Sequence, residues 1–229
     1  MISIVIPVYN QADKIGKCLN SILKQSYPDY EIIIVNDGST DKLSEIIDAF
    51  KPKFPAQKFK FITQENRGAN SARNRGSQDA AGEYIIFCDA DIVISGEMFP
   101  KMLAALEKNP QASFVYSSHK FGFKVFRLWE FDAERLKQMP YIHTTSLIRK
   151  VDFPGFDENI KRLQDWDLWL TMLENNKTGV WIDEILFTVE SGGTMSNWLP
   201  SFAYRFLTFL PSVKKYAKSV GIIKNKHNL

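Results

Sequence analysis

Tyr84-Ile85-Ile86-Phe87-Cys88-Asp89-Ala90-Asp91 runs five residues that favour burial straight into two carboxylates one residue apart. A continuous apolar run of this length reads as a buried strand in a parallel sheet. In open α/β sheets ligands sit outside the carboxyl ends of the strands, so Asp89 and Asp91 are placed where a ligand sits. Residues i and i+2 share a side while the chain stays extended. Two close carboxylates repel, and something cationic is expected to share the site. Oxygen ligands of this kind suit Mg or Mn, above all when a substrate phosphate completes the shell. Alone, an Asp-x-Asp after a strand reads first as a solvated turn, and it is the rest of the chain that overturns that reading.

Working back toward the N-terminus, Ile2 to Val8 is an apolar strand closed by Pro7 and Tyr9-Asn10. Ile15, Cys18, Leu19, Ile22 and Leu23 then recur at helical spacing, which predicts a helix over Ala12 to Gln25. Tyr30 to Val35 is a second strand, ending in Asn36-Asp37-Gly38-Ser39-Thr40-Asp41, where Thr40 or Asp41 can cap the next helix. Lys58 to Thr63 is a weaker strand, and Asn66-Arg67-Gly68 turns into a small-residue helix, Ala69 to Ala81. Gly82 ends that helix before the strand that carries the two carboxylates. Strand and helix alternating at this rhythm build an α/β fold, a mostly parallel sheet flanked by helices.

Working forward, the pattern is less regular. Helices are expected over Glu97 to Lys108 and Arg162 to Asn175. Strands are expected over Ser113 to Ser117, Thr144 to Arg149, Val180 to Asp183 and Ile185 to Val189, and Lys120 to Trp129 reads as a strand or hairpin. From Leu199 the apolar residues Leu199, Phe202, Phe206, Phe209, Val213, Tyr216 and Val220 form a helical stripe, with Pro211 forcing a kink or a new start. The domain division expected is 1–95 and 96–190 as two halves of one domain, followed by a loop and helical tail over 191–229.

Charge is uneven along the chain. The formal net charge is +3, yet no acidic residue follows Glu190, while Arg205, Lys214, Lys215, Lys218, Lys224 and Lys226 do. A basic amphipathic tail on a mildly acidic body suggests an anionic surface as partner. The two cysteines, Cys18 and Cys88, fall in apolar segments far apart, which argues against a disulfide framework and for a reducing compartment. No apolar run approaches the ~20 residues of a membrane span, and the first residues enter a strand at once without a signal-peptide pattern.

Four constellations fall at strand ends or helix starts: Pro7-Val8-Tyr9-Asn10, Asp37, Asn66 to Arg73, and Asp89-Ala90-Asp91. In a parallel sheet these gather along one edge. Arg67 and Arg73 can offset phosphate charge. No Gly-x-Gly-x-x-Gly follows the first strand, which argues against a dinucleotide cofactor.

Taken together, Ile2 to Asp41, Gly68-Ala69-Asn70-Ser71-Ala72-Arg73-Asn74, Phe87 to Asp91 and Gln164-Asp165-Trp166-Asp167-Leu168-Trp169-Leu170 resemble, in order, the blocks of a family 2 glycosyltransferase. The resemblance covers roughly residues 1–190. It implies the GT-A fold, a nucleotide-sugar donor, UDP-linked in expectation, a divalent metal (Mn or Mg) and inversion at the anomeric carbon. By resemblance Asp91 holds the metal and Asp89 faces the ribose or the metal's water shell. Pro7, Val8, Tyr9, Asn10, Asp37, Arg67, Arg73 and Ala90 frame the nucleotide sugar. Asp165 is the expected base, ionised at neutral pH if it keeps the ordinary carboxylate pKa of ~3.9. Gln164, Trp166, Asp167 and His143 are expected on the acceptor side. Gln164 stands where the family often has an acidic residue. The implied setting is transfer to a glycan or lipid-linked acceptor for cell-surface polysaccharide, in the cytoplasm, peripheral on the inner face of the cell membrane. Residues 198–229 would meet the anionic membrane there, and no nucleic acid partner is expected. The competing readings are a sugar nucleotidyltransferase and a non-catalytic nucleotide-sugar or membrane-surface binding module. The first usually has a Gly-rich basic loop where Val8-Tyr9-Asn10-Gln11 stands here.

Overall fold

The computed structural model describes residues 1–190 and 210–229. The strands are β1 (Ile2–Val8), β2 (Tyr30–Asp37), β3 (Phe59–Gln64), β4 (Tyr84–Phe87), β5 (Ile92–Ile94), β6 (Phe114–Phe121), β7 (Lys124–Phe126), β8 (Leu147–Arg149) and β9 (Gly179–Val189). The helices are α1 (Ala12–Ile22), α2 (Leu43–Phe50), α3 (Ala69–Gln78), α4 (Met98–Lys108), α5 (Ala133–Gln138), α6 (Gln164–Glu174) and α7 (Pro211–Lys226). Among the described residues the strands form one sheet in the order β3-β2-β1-β4-β8-β6-β9-β5, with β7 paired to β6. β3, β2, β1 and β4 are parallel, and β6 and β9 run the same way; β8, β5 and β7 oppose them.

Alternation along the strands builds two cores. Ile2, Ile4, Ile6, Ile32 and Ile34 face α1, α2 and α4, whereas Val5, Ile33, Val35, Ile85 and Phe87 face α3 and α6. The Cys18 and Cys88 thiols meet in the first core at 3.7 Å, both free. α3 is built of small residues because it lies hard against the sheet: a Cβ on Gly76 would overlap the Val5 side chain.

The structure alters several expectations beyond shifts of a few residues at element ends. Val180 to Asp183 and Ile185 to Val189, expected as two strands, are one continuous β9, in which Asp183 and Glu184 are the extra residues of a bulge: Ser117 pairs with Ile182 and Ser118 with Ile185. β5 and α5 were not expected; both are too short to show a period. Lys120 to Trp129 resolves into the end of β6 and β7 around a two-residue turn at Gly122 and Phe123. Asp41 reaches the N–H of Leu43 at the start of α2 and also that of Ala12 at the start of α1, so it serves both helices. Pro211 opens α7, where its missing N–H costs no bond. Leu199, Phe202, Phe206 and Phe209 of the expected stripe, and Arg205 of the basic tail, lie outside the described residues.

Candidate active site

The carboxyl ends of β1, β2 and β4 open into a cavity of about 500 Å³. Pro7, Val8, Tyr9 and Gln11 line it from β1, Asp37 from β2, and Asn66, Gly68, Ala69 and Arg73 from the loop and helix that follow β3. Asp89 and Asp91 stand below, and His119, Phe121, Phe126, His143 and Val189 close the far side. Crossovers that return each strand in parallel bring these distant segments to one edge.

Asp37 is buried and heavily engaged. Its Oδ1 accepts from Gln64 Nε2 at 2.8 Å and from the Arg67 N–H at 2.9 Å, and its Oδ2 accepts from the Gly68 N–H at 2.8 Å. Gly68 adopts φ 95°, which lets the backbone turn those two N–H groups back onto the carboxylate. Asp37 therefore shapes the loop that opens α3 while also lining the cavity.

The two carboxylates after β4 have opposite electrostatic circumstances. Arg73, buried on α3, donates from Nη2 to Asp89 Oδ1 at 2.7 Å and from Nη1 to Asn70 Oδ1 at 3.2 Å. Burial alone would raise the Asp89 pKa, but the Arg73 guanidinium and His143 hold it below the ordinary value. Asp91 is pushed up to about 6, first by burial and then by the charge of Asp89. Lys14, whose ammonium is buried without a hydrogen-bond partner among the described residues, offsets only part of that.

The far wall is aromatic. The His119 ring is stacked between Phe126 and Phe187, with centroids 5.1 and 5.0 Å away, and touches His143 at 5.5 Å. Burial, then His143, lowers the His119 pKa to about 3, so its ring is neutral. Burial also lowers the His143 pKa against the pull of Asp89 and Asp165. Its Nδ1 accepts from the Thr145 N–H at 3.0 Å, which leaves Nε2 as the protonated nitrogen.

Asp165 stands in the first turn of α6, where its carboxylate accepts from the Trp166 N–H at 2.9 Å. His143 and Arg73, both in the cavity wall, act on it electrostatically. Burial nevertheless raises its pKa, so the expectation of an ordinary carboxylate value is corrected.

Several residues chosen from sequence stand elsewhere. Asn10 is exposed at φ 50°, and its Oδ1 accepts from the Thr40 N–H at 2.8 Å, clamping the β1 loop to the β2 loop. The Arg67 side chain lies outward against Glu158 at 3.4 Å. Ala90 and Gln164 are buried without lining the cavity. Trp166 is in the core, its indole N–H donating to the Leu136 carbonyl at 2.6 Å, and from there it has no face for a sugar. Asp167, two positions from Asp165 and so on the opposite side of α6, is buried against α7. It meets His227 Nε2 at 2.9 Å and Lys226 Nζ at 2.8 Å, while His227 Nδ1 meets Glu174 at 2.8 Å. Sequence reading missed His119, Phe121 and Phe126 in the cavity wall. The alternation of His119 and Phe121 was the available signal, since i and i+2 on a strand share a face.

The donor set fits a small hard cation completed by substrate. Among the described residues no group of three or more His, Cys, Asp or Glu side chains could hold a metal ion. Asp91, with Asp89 beside it, offers hard oxygen and a charge short of compensation, which suits Mg or Mn bound jointly with phosphate oxygens.

Comparison with known proteins places this geometry. Residues 3–159 match the family model described as Glycosyl transferase family 2. An uncharacterized glycosyltransferase of Rickettsia conorii is 32% identical over 211 residues, 84% of this chain and 33% of that protein. The poly-beta-1,6-N-acetyl-D-glucosamine synthase of Staphylococcus epidermidis is 40% identical over 115 residues, 50% of this chain and 27% of that protein. These matches span about a third or less of the relatives' own length. Staphylococcus aureus TarS 1-349 in complex with UDP has the same fold at a TM-score of 0.71 and 21% identity, over 83% of this chain and 60% of that one. The Pyrobaculum calidifontis mannosyltransferase PcManGT, solved with GDP-Man and Mn2+, aligns at a TM-score of 0.69 and 16% identity, over 86% of this chain and 58% of that one.

Proposed function

This chain belongs to glycosyl transferase family 2, and on that premise we propose that it moves a sugar from a nucleoside diphosphate, UDP in the first instance, onto a glycan or lipid-linked acceptor of a cell-surface polysaccharide. The observation that carries the reading is the unequal pair after β4: Asp89 is neutralised by Arg73, while Asp91 faces the same cavity short of a cation. TarS, solved with UDP, and the poly-N-acetylglucosamine synthase support the donor and the polymer class by likeness.

In this reading residues 1–95 bind the nucleotide sugar and 96–190 the acceptor. Pro7, Val8 and the half-exposed Tyr9 give the base an apolar wall, and Asp37 holds the loop that faces the ribose. A divalent cation bound at Asp91 supplies neutralisation of the charge that builds on the departing diphosphate. Arg73 keeps Asp89 ionised, and its Nε, buried without a partner among the described residues, is a donor left for a phosphate oxygen. The acceptor hydroxyl attacks the anomeric carbon from the face opposite the diphosphate, and its proton passes to the Asp165 carboxylate. A pKa raised by burial makes Asp165 a stronger base than an exposed aspartate. One displacement with attack from the far side inverts the anomeric centre.

The setting belongs to the same proposal: the cytoplasmic face of a membrane, reached through residues 198–229. No helix among the described residues is long and apolar enough to cross a membrane. Lys214, Lys215 and Lys218 are exposed on α7, while Val213 and Ile223 pack inward. Incubating the protein with a panel of UDP- and GDP-sugars, with Mn, Mg or chelator, tests the enzyme reading. Cation-dependent release of free nucleotide from one donor is expected. No release from any donor, with intact nucleotide binding, would leave a binding module and remove the catalytic reading.

A further inference from the structure

His143 puts a fixed hydrogen-bond donor into the cavity, and nothing among the described residues receives it. Three contacts hold the residue in place. The carbonyl of Ile142 accepts from the Trp169 indole N–H at 2.9 Å, and the carbonyl of His143 accepts from Ser146 Oγ at 2.7 Å. The ring Nδ1 accepts from the Thr145 N–H at 3.0 Å, so the ring proton sits on Nε2. Phe187 and His119 brace the ring at centroid distances of 5.1 and 5.5 Å. Nε2 has no hydrogen-bond partner among the described residues, and the half-buried ring lines the cavity. A histidine kept for packing normally has both nitrogens bonded; a donor locked in a cavity wall without an acceptor is one that a ligand completes. The rest of that wall is poor in such groups. Phe121, Phe126 and Val189 have no polar side-chain atom, and the His119 ring lies between Phe126 and Phe187 with its Nδ1 buried.

The place of the donor follows from its charged neighbours. Asp89 and Asp165 both act electrostatically on the His143 ring. In the proposed reaction Asp89 and Asp91 mark the diphosphate end and Asp165 the attacking hydroxyl. A single displacement sets the anomeric carbon in line between them. A group within reach of both carboxylates therefore stands beside that carbon, against the transferred sugar and not against the nucleotide. The bond from Trp169 adds a mechanical link. Asp165 and Trp169 are four residues apart on α6, one above the other, so the helix that carries the base also holds the segment that carries His143.

We propose that His143 reads the sugar of the donor: its Nε2–H donates to an uncharged oxygen of that sugar, a hydroxyl or an amide carbonyl borne near the anomeric carbon, and holds the ring for attack. The inference rests on the glycosyl-transfer reading and deepens it, giving to the sugar a residue expected on the acceptor side. The class of donor it fits is a neutral hexose or N-acetylhexosamine.

Calorimetry on the full chain with Mn tests it, using wild type, His143→Phe and His143→Gln. The ligands are UDP, GDP and their glucose, galactose, mannose and N-acetylglucosamine forms. The bare nucleotide has no sugar, so its affinity should stay within about twofold in both variants. The nucleotide sugar that wild type binds best should bind His143→Phe about tenfold more weakly, the effect of one well-made hydrogen bond. His143→Gln, which keeps an amide N–H near the place of Nε2, should recover most of that loss. Both variants lose the Thr145 contact, so a role confined to holding residues 142–146 would weaken both alike and would overturn the proposal. Analogues of that donor lacking one hydroxyl or the acetamido group give a second reading on the unaltered protein. One of them should bind wild type about tenfold more weakly than the parent and bind His143→Phe no worse. Every analogue binding wild type like the parent would refute the contact, and so would a loss on the bare nucleotide as large as that on the nucleotide sugar. If His143→Phe lowers only transfer to the acceptor, with donor affinity intact, the residue serves the acceptor and the proposal falls. If the nucleotide sugar loses affinity as expected in a protein that releases no nucleotide, the sugar contact stands and the catalytic reading falls. A wild type that binds no nucleotide sugar removes both.

Discussion

Replacing Asp91 by Asn should make the protein more stable while removing what we propose it does. In the folded chain the Asp91 pKa is pushed from 3.8 to about 6 by burial and by Asp89. That difference corresponds to roughly 3 kcal/mol of penalty on the ionised form. Asp91 keeps some contact with solvent, and screening brings the figure to about 2 kcal/mol. The folded-state pKa lies above the unfolded one. Below pH 3.8 the carboxyl is neutral in both states and the penalty is absent. It grows as pH rises through about 6 and is constant above. Asn cannot ionise, so the variant should gain about 4–8 °C in melting temperature at pH 7.5 for a chain of this size, and roughly half of that at pH 5. Thermal melts of both proteins at the two pH values, without metal, measure it. Calorimetry with UDP and Mn gives the other half: wild type should bind with the cation much more tightly than without, and Asp91→Asn should not discriminate. A variant that melts at or below the wild-type temperature at both pH values would refute the electrostatic reasoning. Equal UDP affinity for all combinations would refute the metal assignment.

Asp165→Asn should leave UDP binding intact and lower transfer by about 100- to 10000-fold, the usual cost of losing a general base; single-turnover transfer at wild-type rate would show that the base lies elsewhere. His227→Ala should loosen α7 without touching the donor. It strands the buried Asp167 carboxylate with Lys226 alone, which should cost about 1–3 kcal/mol in urea unfolding and expose the C-terminal helix to limited proteolysis. Unchanged unfolding and protection would mean that Val213 and Ile223 hold α7 by themselves.

Much of the parallel half of the sheet was legible because its cause is local. Ile2 to Val8, Tyr30 to Val35 and Tyr84 to Phe87 are strands by apolar continuity, and each helix between them announces itself by period or by a breaking glycine. The cavity followed from the same reading, since strand ends of a parallel sheet converge, and Pro7, Val8, Tyr9, Asp37, Arg73, Asp89 and Asp91 all line it. Asp183-Glu184 split β9 into two expected strands because a bulge and a strand end share composition; only the pairing of Ile182 with Ser117 and of Ile185 with Ser118 joins them.

The amino-acid order by itself determined the layered α/β fold, the edge of the sheet that carries the site, and the carboxylates that stand there. Each of these depends on neighbours within one or two turns of chain. Tertiary structure alone decided what those groups face. It buried Asp91 beside Asp89 without an adequate counter-charge and gave Asp89 to Arg73. It left Asp165 within the electrostatic reach of His143 but set its near neighbour Asp167 against His227, sixty residues away. Two carboxylates of identical chemistry thus have different fates, because a side chain's charge and partners are set by whatever the fold packs against it.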